Sequence, residues 1–510
     1  MRRSVLVLAL LLALGAAPHA RTDTAKPNIV VIMTDDQTIA QMQMMTATNA
    51  LIAGEGATFT RSYVSFPLCC PSRATFLTGQ YAHNHGVLEI GPPTGGHDRL
   101  DHSSTLPVWL DEAGYQTIHI GKYLNDYGTN DPYEIPPGWD EWRTAVDPTT
   151  YWMWGYTLNE NGTLNTYGTF EEEDEENYQT YVYRDKALAA IDAAVDAGDP
   201  FFLNLWFLAP HREVFTLKRQ LPPRAAPGPD REAFDDEVMP RPPSFNEPDV
   251  TDKPLYIQVK PPLDETAIGL IETRWEMEHE ALLAVDRAVE AVVNKLEDRG
   301  VLDDTYVIFT SDNGYFHGEH RTPDEKILAY EPSTAVPLVM RGPAIPAGTV
   351  IDEPVVNVDL APTIVELTGA ASTLVMDGRS LVPFLDGAHE PTTRPMLLEA
   401  YWPVGSTGRF FVEEVTSPGE EGEGGEGLPL NKAVMSYHAI HTGRFVYIEY
   451  DTGEHELYDL TVDPHQIGSK HLDPAYLDTQ LALARELERL RFCSGEGCAQ
   501  ETGPIPEPES

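Results

Sequence analysis

Positive charge is what this sequence has least of. Lys and Arg number 35 against 80 Asp and Glu, a formal net charge of −45 over 510 residues. Gripping a nucleic-acid backbone needs clustered Lys and Arg, so that partner class is excluded. Adhesion to anionic membranes is excluded on the same ground. What remains is a highly charged, soluble surface. A polyanionic substrate would need a local basic site against that field. Long apolar runs are also missing beyond the first twenty residues, so no later segment is expected to span a bilayer. Cysteine is scarce too, with four in the chain.

The start is different. Arg2 and Arg3 precede the apolar run "VLVLALLLALGAA" at 5–17. A basic start and a short apolar stretch read as a signal peptide over residues 1–20. The mature chain is therefore expected to be secreted or otherwise extracytoplasmic, where disulfides persist. Cys493 and Cys498, in "FCSGEGC", then suit a small structural disulfide. Cys69 and Cys70 stay open at this point: a vicinal bridge, two buried thiols, or a reactive residue with its neighbour.

The length exceeds the roughly 250–300 residues at which one core stops growing, so at least two domains are expected. Short apolar runs lead into polar clusters four times. "NIVVIM" precedes Asp35-Asp36, "YQTIHI" precedes Lys122, "PFFLNLWFL" precedes His211, and "TYVIFT" precedes Asp312-Asn313. Each run has the β-branched and aromatic content of a buried strand. A helical pattern over about 268–298 carries Leu282, Val285, Val289, Val292, Val293 and Leu296 on one side. Alternating strands and helices predict an α/β fold with a large, mostly parallel sheet flanked by helices. Sites in such folds lie beyond the carboxyl ends of the strands, where all four clusters would converge. We expect this catalytic domain to span 24–390. Residues 391–510 predict a smaller α+β domain with strand-like "RFVYIEY" and a helix near 475–491. Within it, "SPGEEGEGGEG" at 417–427 is an acidic, Gly-rich loop that can bury nothing. "NGT" at 161–163 is a candidate glycosylation acceptor.

The stretch 68–80, "LCCPSRATFLTGQ", concentrates chemistry. Pro71 suits the first turn of a helix, which sets Cys69 at or just before its N-terminus. Free N–H groups there favour anions, and Arg73 adds a fixed positive charge. Cys69-Cys70-Pro71-Ser72-Arg73, followed by Leu77-Thr78-Gly79, resembles the signature of type I, formylglycine-dependent sulfatases. The likeness extends from Pro27 to about Pro464. "GKYLNDYG" (121–128), with "TYVIFTSDNGY" and "VPLVMRGP" (336–343), is closest to the N-acetylglucosamine-6-sulfatase and heparan endosulfatase branch, and "ELYDLTVDP" (456–464) resembles the sulfatase C-terminal segment.

The resemblance implies an alkaline-phosphatase-like sulfatase fold and hydrolysis of sulfate esters, of a sulfated sugar or an aryl sulfate. It implies that Cys69 is converted to formylglycine by a formylglycine-generating enzyme, and that the aldehyde hydrate attacks sulfur. Asp35, Asp36, Asp312 and Asn313 are oxygen ligands suited to a hard cation. The resemblance favours Ca2+ over Mg2+ and adds Cys69 to the ligand set. Arg73, Lys122, His211 and Lys326 match the family's catalytic and sulfate-binding positions. Lys326 follows Asp312 by fourteen residues. The family often has a His two residues after the Lys of the Gly-Lys segment, and here that residue is Leu124. His85, His317 and His320 are candidates to replace it. His211 or His317 is expected to be the leaving-group acid. Arg212 is either an anion contact or a solvated charge. Two alternatives stand beside this reading: a phosphonate or phosphate ester hydrolase of the same superfamily, and a non-catalytic protein that binds sulfated glycans. No basic run exists to hold a long polyanion, which favours a small or chain-end substrate.

Overall fold

The computed structural model describes residues 26–216, 219–235, 237–388, 391–401 and 436–509. The segment read as a signal peptide and the acidic loop at 417–427 lie outside these residues. The strands of the large sheet are β1 (Asn28–Asp35), β2 (Ala57–Phe59), β3 (Gln116–Gly121), β4 (Glu141–Ala145), β5 (Tyr156–Glu160), β6 (Thr163–Tyr167), β7 (Phe201–Pro210), β8 (Thr305–Ser311), β9 (Leu338–Arg341) and β10 (Thr349–Ile351). Their order is β10-β2-β9-β8-β1-β7-β3-β4-β5-β6. The middle, β8-β1-β7-β3-β4, is parallel throughout. Antiparallel pairs carry the sheet outward on both sides.

β1 is buried along its whole length. A strand covered on both faces has no polar side, so it reads as one continuous apolar run. Alternate residues enter two different cores. Val30 and Ile32 pack with Ile191 of α2 (Gln179–Ala197) and with Leu282, Val285 and Val289 of α3 (Glu265–Asp298). Ile29, Val31 and Met33 pack with Ala74 and Leu77 of α1 (Cys69–Thr78). The sheet is therefore sandwiched between helices, as the alternating pattern predicts. No described helix is long and apolar enough to cross a membrane.

A second, four-stranded antiparallel sheet runs β11 (Met396–Ala400), β12 (Tyr437–His441), β13 (Phe445–Tyr450) and β14 (His455–Asp459). One face, with Leu397, Ile440 and Leu457, lies under Leu483 and Leu487 of α4 (Leu477–Leu490). The other, with Leu398, Ala439 and Ile448, packs on Phe66, Leu68 and Leu328. Those last residues flank Cys69 and Lys326, so this sheet buttresses the end of the molecule that carries both. Cys493 and Cys498 form a disulfide, and Cys69 and Cys70 are free and buried.

Candidate active site

Four parallel strands end on one edge, and each delivers a polar residue there. β1 ends in Asp35, β3 leads into Lys122, β7 into His211 and β8 into Asp312. The register confirms the alignment: Thr34 pairs with Ser311, Asp35 with Pro210 and Gly121 with Trp206. Gly121 is required for this approach. Its φ is +113°, and a Cβ there would lie 1.9 Å from the Trp206 carbonyl oxygen. α1 enters from below, with Leu68 extended at its N-cap and Cys69 as its first residue. It stops at Gly79, whose φ of 66° caps the helix in the left-handed region.

Arg73, fully buried, ties the floor together. Its Nη2 donates to Asp35 Oδ2 at 2.9 Å and its Nε to Asp312 Oδ2 at 2.8 Å. Its Nη1 donates to the Lys122 carbonyl at 2.8 Å. Lys122 Nζ also contacts Asp35, and Lys326 Nζ contacts Asp36. Lys326 Nζ lies 2.9 Å from Cys69 Sγ, which itself lies 3.4 Å from Asp35 Oδ1. His211 donates from Nδ1 to the Arg212 carbonyl at 2.6 Å, which leaves Nε2 facing Asp36 Oδ2 at 3.7 Å.

Electrostatics separate the three carboxylates. Burial alone would raise Asp35, but Lys122, His211, Arg73 and Lys326 outweigh it and hold that group well below the ordinary range. Burial, with Asp35 adding to it, pushes Asp36 and Asp312 up. Burial and Asp35 also push the Cys69 thiol up to about 12, against the pull of Lys122 and Lys326. A thiol held protonated is a weak nucleophile. Burial pushes His211 well below its usual value, with Lys326 and Lys122 acting the same way against Asp35.

The donor set fits a hard divalent cation. One oxygen or sulfur from each of Asp35, Asp36, Cys69 and Asp312 lies within 4.8 Å of the others. Asn313 Nδ2 donates to Asp36 Oδ1 at 2.6 Å, yet its Oδ1 is buried with no partner among the described residues. A buried acceptor without a donor beside two carboxylates of raised pKa is what an oxygen-ligated cation would satisfy. Asp36 has a left-handed φ of 69°, an uncommon backbone state for a non-glycine residue.

Cys69, His211 and Lys326 open into a cleft of about 380 Å³. That suits a ligand of monosaccharide size. The structure thus brings together Asp35, Asp36, Cys69, Arg73, Lys122, His211, Asp312, Asn313 and Lys326. It sends the three other histidines elsewhere. His317 Nε2 is 2.7 Å from Glu278 Oε2, and the residue lines a separate pocket with Trp275. His320 Nδ1 is 2.6 Å from Glu247 Oε2. His85 Nε2 is 3.1 Å from Thr75 Oγ1. Leu124 is simply core. Arg212 lines the cleft, where its Nη1 donates to Asp324 at 2.5 Å.

Other cleft residues carried no motif. Tyr151 packs its ring 4.7 Å from Lys122 Nζ and 5.2 Å from the His211 ring. Asn125 sits inside the quoted "GKYLNDYG", where its neighbour Lys122 draws the attention. Gln220 and Asp324 come from segments with no sequence signal.

The comparisons agree with this geometry. The family model described as Sulfatase matches residues 27–370. An N-acetylglucosamine-6-sulfatase from Capra hircus is 34% identical over 503 residues, covering 95% of this chain and 86% of the relative. An arylsulfatase from Volvox carteri is 32% identical over 532 residues, covering 97% of this chain and 79% of the relative. Among solved structures, a protein in complex with its substrate D-glucosamine-2-N,6-O-disulfate superposes with a TM-score of 0.70. It is 23% identical, covering 91% of this chain and 97% of its own, so this likeness speaks for the fold alone. With the family model spanning well over half the sequence, the chain belongs to the sulfatase family and is a sulfuric ester hydrolase.

Proposed function

We propose that the chain hydrolyses the sulfate ester of a small sulfated sugar, with the sulfate group over Cys69 and between Lys122, Lys326 and His211. The observation that carries this is Lys326 Nζ at 2.9 Å from Cys69 Sγ on the floor of a monosaccharide-sized cleft. The goat relative's name supplies the sugar, an N-acetylglucosamine 6-sulfate. The algal relative's name makes aryl sulfates artificial substrates. Both names are those of sulfatases, so a phosphonate or phosphate ester is not favoured.

Conversion of Cys69 to formylglycine, by a formylglycine-generating enzyme, supplies a hydrated aldehyde as nucleophile in place of the protonated thiol. Asp35, Asp36, Asp312 and Asn313 would hold the cation, Ca2+ by resemblance, which when bound stabilises negative charge on oxygen. The chain's own groups do the rest. Arg73 holds Asp35 and Asp312 in place from below. Lys122 and Lys326 offer preorganised positive charge to a sulfate whose oxygens gain charge as the ester bond breaks. Tyr151 covers Lys122 and limits its freedom. Of the two histidines considered for the leaving-group proton, His211 is the one that lines the cleft. With Nδ1–H committed to the Arg212 carbonyl, its Nε2 is an acceptor in the free site, and we assign it the role once a bound sulfate offsets Lys122 and Lys326 and the ring takes up a second proton. The reading of residues 1–20 as a signal peptide supports an extracytoplasmic site of action.

The test is the mass of the tryptic peptide 62–73, "SYVSFPLCCPSR", from protein secreted by its own host. A thiol-to-aldehyde mass loss at Cys69, with turnover of 4-nitrophenyl sulfate abolished by Cys69→Ala, is expected. Two unmodified cysteines in active protein would overturn the nucleophile assignment.

A further inference from the structure

The cleft is lined by two chemically different sets of groups. One, with Cys69, His211 and Lys326, suits an anion. The other holds three oxygen acceptors without a donor among the described residues: Asn125 Oδ1, Gln220 Oε1 and Asp324 Oδ1. All three residues line the same cleft. They come from separate parts of the chain. Asn125 follows β3, Gln220 sits in the short strand Arg219–Leu221, and Asp324 lies in the loop that leads to Lys326.

The surrounding bonds explain why two of these oxygens stay free. Asn125 Nδ2 donates to Tyr151 Oη at 2.5 Å, which fixes the amide with its oxygen on the other side. Asp324 Oδ2 accepts from both Arg212 Nη1 at 2.5 Å and Arg274 Nη2 at 2.9 Å. Two arginines on one oxygen hold the carboxylate in place and leave Oδ1 without a donor. A polar atom buried without a partner is costly, and these three share the lining of one cleft that a ligand can enter. Each is an acceptor, so the missing component is a set of donors.

We propose that Asn125, Gln220 and Asp324 form an acceptor wall that selects a sugar sulfate through its ring hydroxyl and amide N–H donors. The proposal rests on the reading that the sulfate lies over Cys69. It makes the wall the specificity determinant and the Cys69 set the chemical one. An aryl sulfate offers no donor to the wall. A second sulfate or a carboxylate offers only further acceptors. A pyranose with free hydroxyls and an acylated amine offers several donors within one ring. A site whose polar groups are left unpaired by an analogue rejects that analogue strongly.

The experiment compares kcat/KM for N-acetylglucosamine 6-sulfate, its 3-deoxy and 4-deoxy analogues, and 4-nitrophenyl sulfate. Gln220→Ala and Asn125→Ala are each expected to lower the sugar-to-aryl ratio about tenfold, the size of one hydrogen bond. A deoxy analogue that is penalised in the unaltered enzyme should be penalised less in the variant lacking its partner. Calorimetry on the Cys69→Ala chain gives a readout free of turnover. There Gln220→Ala should raise the Kd for the sugar sulfate about tenfold relative to that for inorganic sulfate. Ratios unchanged within twofold in both variants, or deoxy penalties identical in variant and unaltered enzyme, would overturn the wall. Turnover of 4-nitrophenyl sulfate by the unaltered enzyme reports separately on the Cys69 reading.

Discussion

Lys326 Nζ lies 2.9 Å from Cys69 Sγ although 257 positions separate the two residues. The contact is held by a strained backbone. Ile327, the next residue, has a φ of 83°, an outlier for a β-branched side chain. Such a conformation costs roughly 1–3 kcal/mol and persists only where neighbours over-determine it. Two neighbours do so here. Ile327 N donates to the Pro67 carbonyl at 3.0 Å, and the Ile327 carbonyl accepts from Tyr437 Oη at 2.5 Å. Pro67 precedes the Cys69 helix, and Tyr437 belongs to the C-terminal sheet. The strain therefore ties three segments to the position of one ammonium group.

Tyr437→Phe removes that hydroxyl while keeping the ring in its core. Relaxation of Ile327 would move Lys326, and small displacements of charged groups at a reaction centre are costly. We expect kcat for 4-nitrophenyl sulfate to fall roughly tenfold to a hundredfold, with KM changed much less. Lys326→Ala should fall further, by about 100- to 1000-fold, the range for loss of one preorganised donor. A Tyr437→Phe enzyme with unaltered kcat would show that the hydroxyl does not position the lysine.

Arg73 is fully buried and pairs with two fully buried carboxylates. Removing one partner of a buried ion pair leaves uncompensated charge and typically costs about 3–5 kcal/mol. Arg73→Ala is therefore expected to destabilise the fold by that amount, beyond its effect on activity. Arg73→Lys should rescue little. A single ammonium cannot reach Asp35, Asp312 and the Lys122 carbonyl from one planar fork. Urea unfolding of both variants checks this, and near-native midpoints would contradict it.

Cation removal should act on stability as well as rate. Asp36 and Asp312, both raised by burial, and the unpartnered Asn313 Oδ1 gain from a bound cation only in the folded chain. A ligand at about 100 times its Kd stabilises the folded state by about 2.7 kcal/mol. We expect chelation to lower the thermal midpoint and added Ca2+ to restore it, with Mg2+ less effective. In Asp312→Asn and Asn313→Ala that response should shrink. A midpoint indifferent to chelator in the unaltered protein would argue against the site.

The sheet and its catalytic edge were legible because burial on both faces writes a continuous apolar run, as in Asn28–Met33, and the polar residue that ends each run is conspicuous. Lys326 was legible only through resemblance, since no strand delivers it. Its position depends on Ile327, Pro67 and Tyr437, which are contacts that no local pattern records. The histidines show the opposite limit. His85, His317 and His320 have the right chemistry at promising positions, yet Thr75, Glu278 and Glu247 each hold one of their ring nitrogens away from the cleft. Residue type does not reveal which partner a side chain finds. Gln220 and Asp324 were illegible for the same reason, being unremarkable residues brought to one cleft by tertiary packing.

His83 and Glu399 join the catalytic module to the second sheet, and their titration gives a last prediction. His83 Nδ1 is 2.9 Å from Glu399 Oε2. Burial opposes charge on His83, but the Glu399 bond and charge outweigh it and raise the imidazole from 6.5 to about 9. Burial would raise Glu399, and the same His83 contact instead holds it below its usual 4.5. The histidine's contribution is fully present below pH 6.5 and is lost as pH rises through about 9. The carboxylate's contribution is present above 4.5 and is lost as pH falls through its lowered value. The pair therefore stabilises most between these limits, and the rise from 6.5 to about 9 corresponds to about 3 kcal/mol. His83→Gln should lower the thermal midpoint most near pH 6, and the gap to the unaltered protein should narrow as pH rises to 9.5. A gap that stays constant across that range would mean that His83 acts by packing, without its charge.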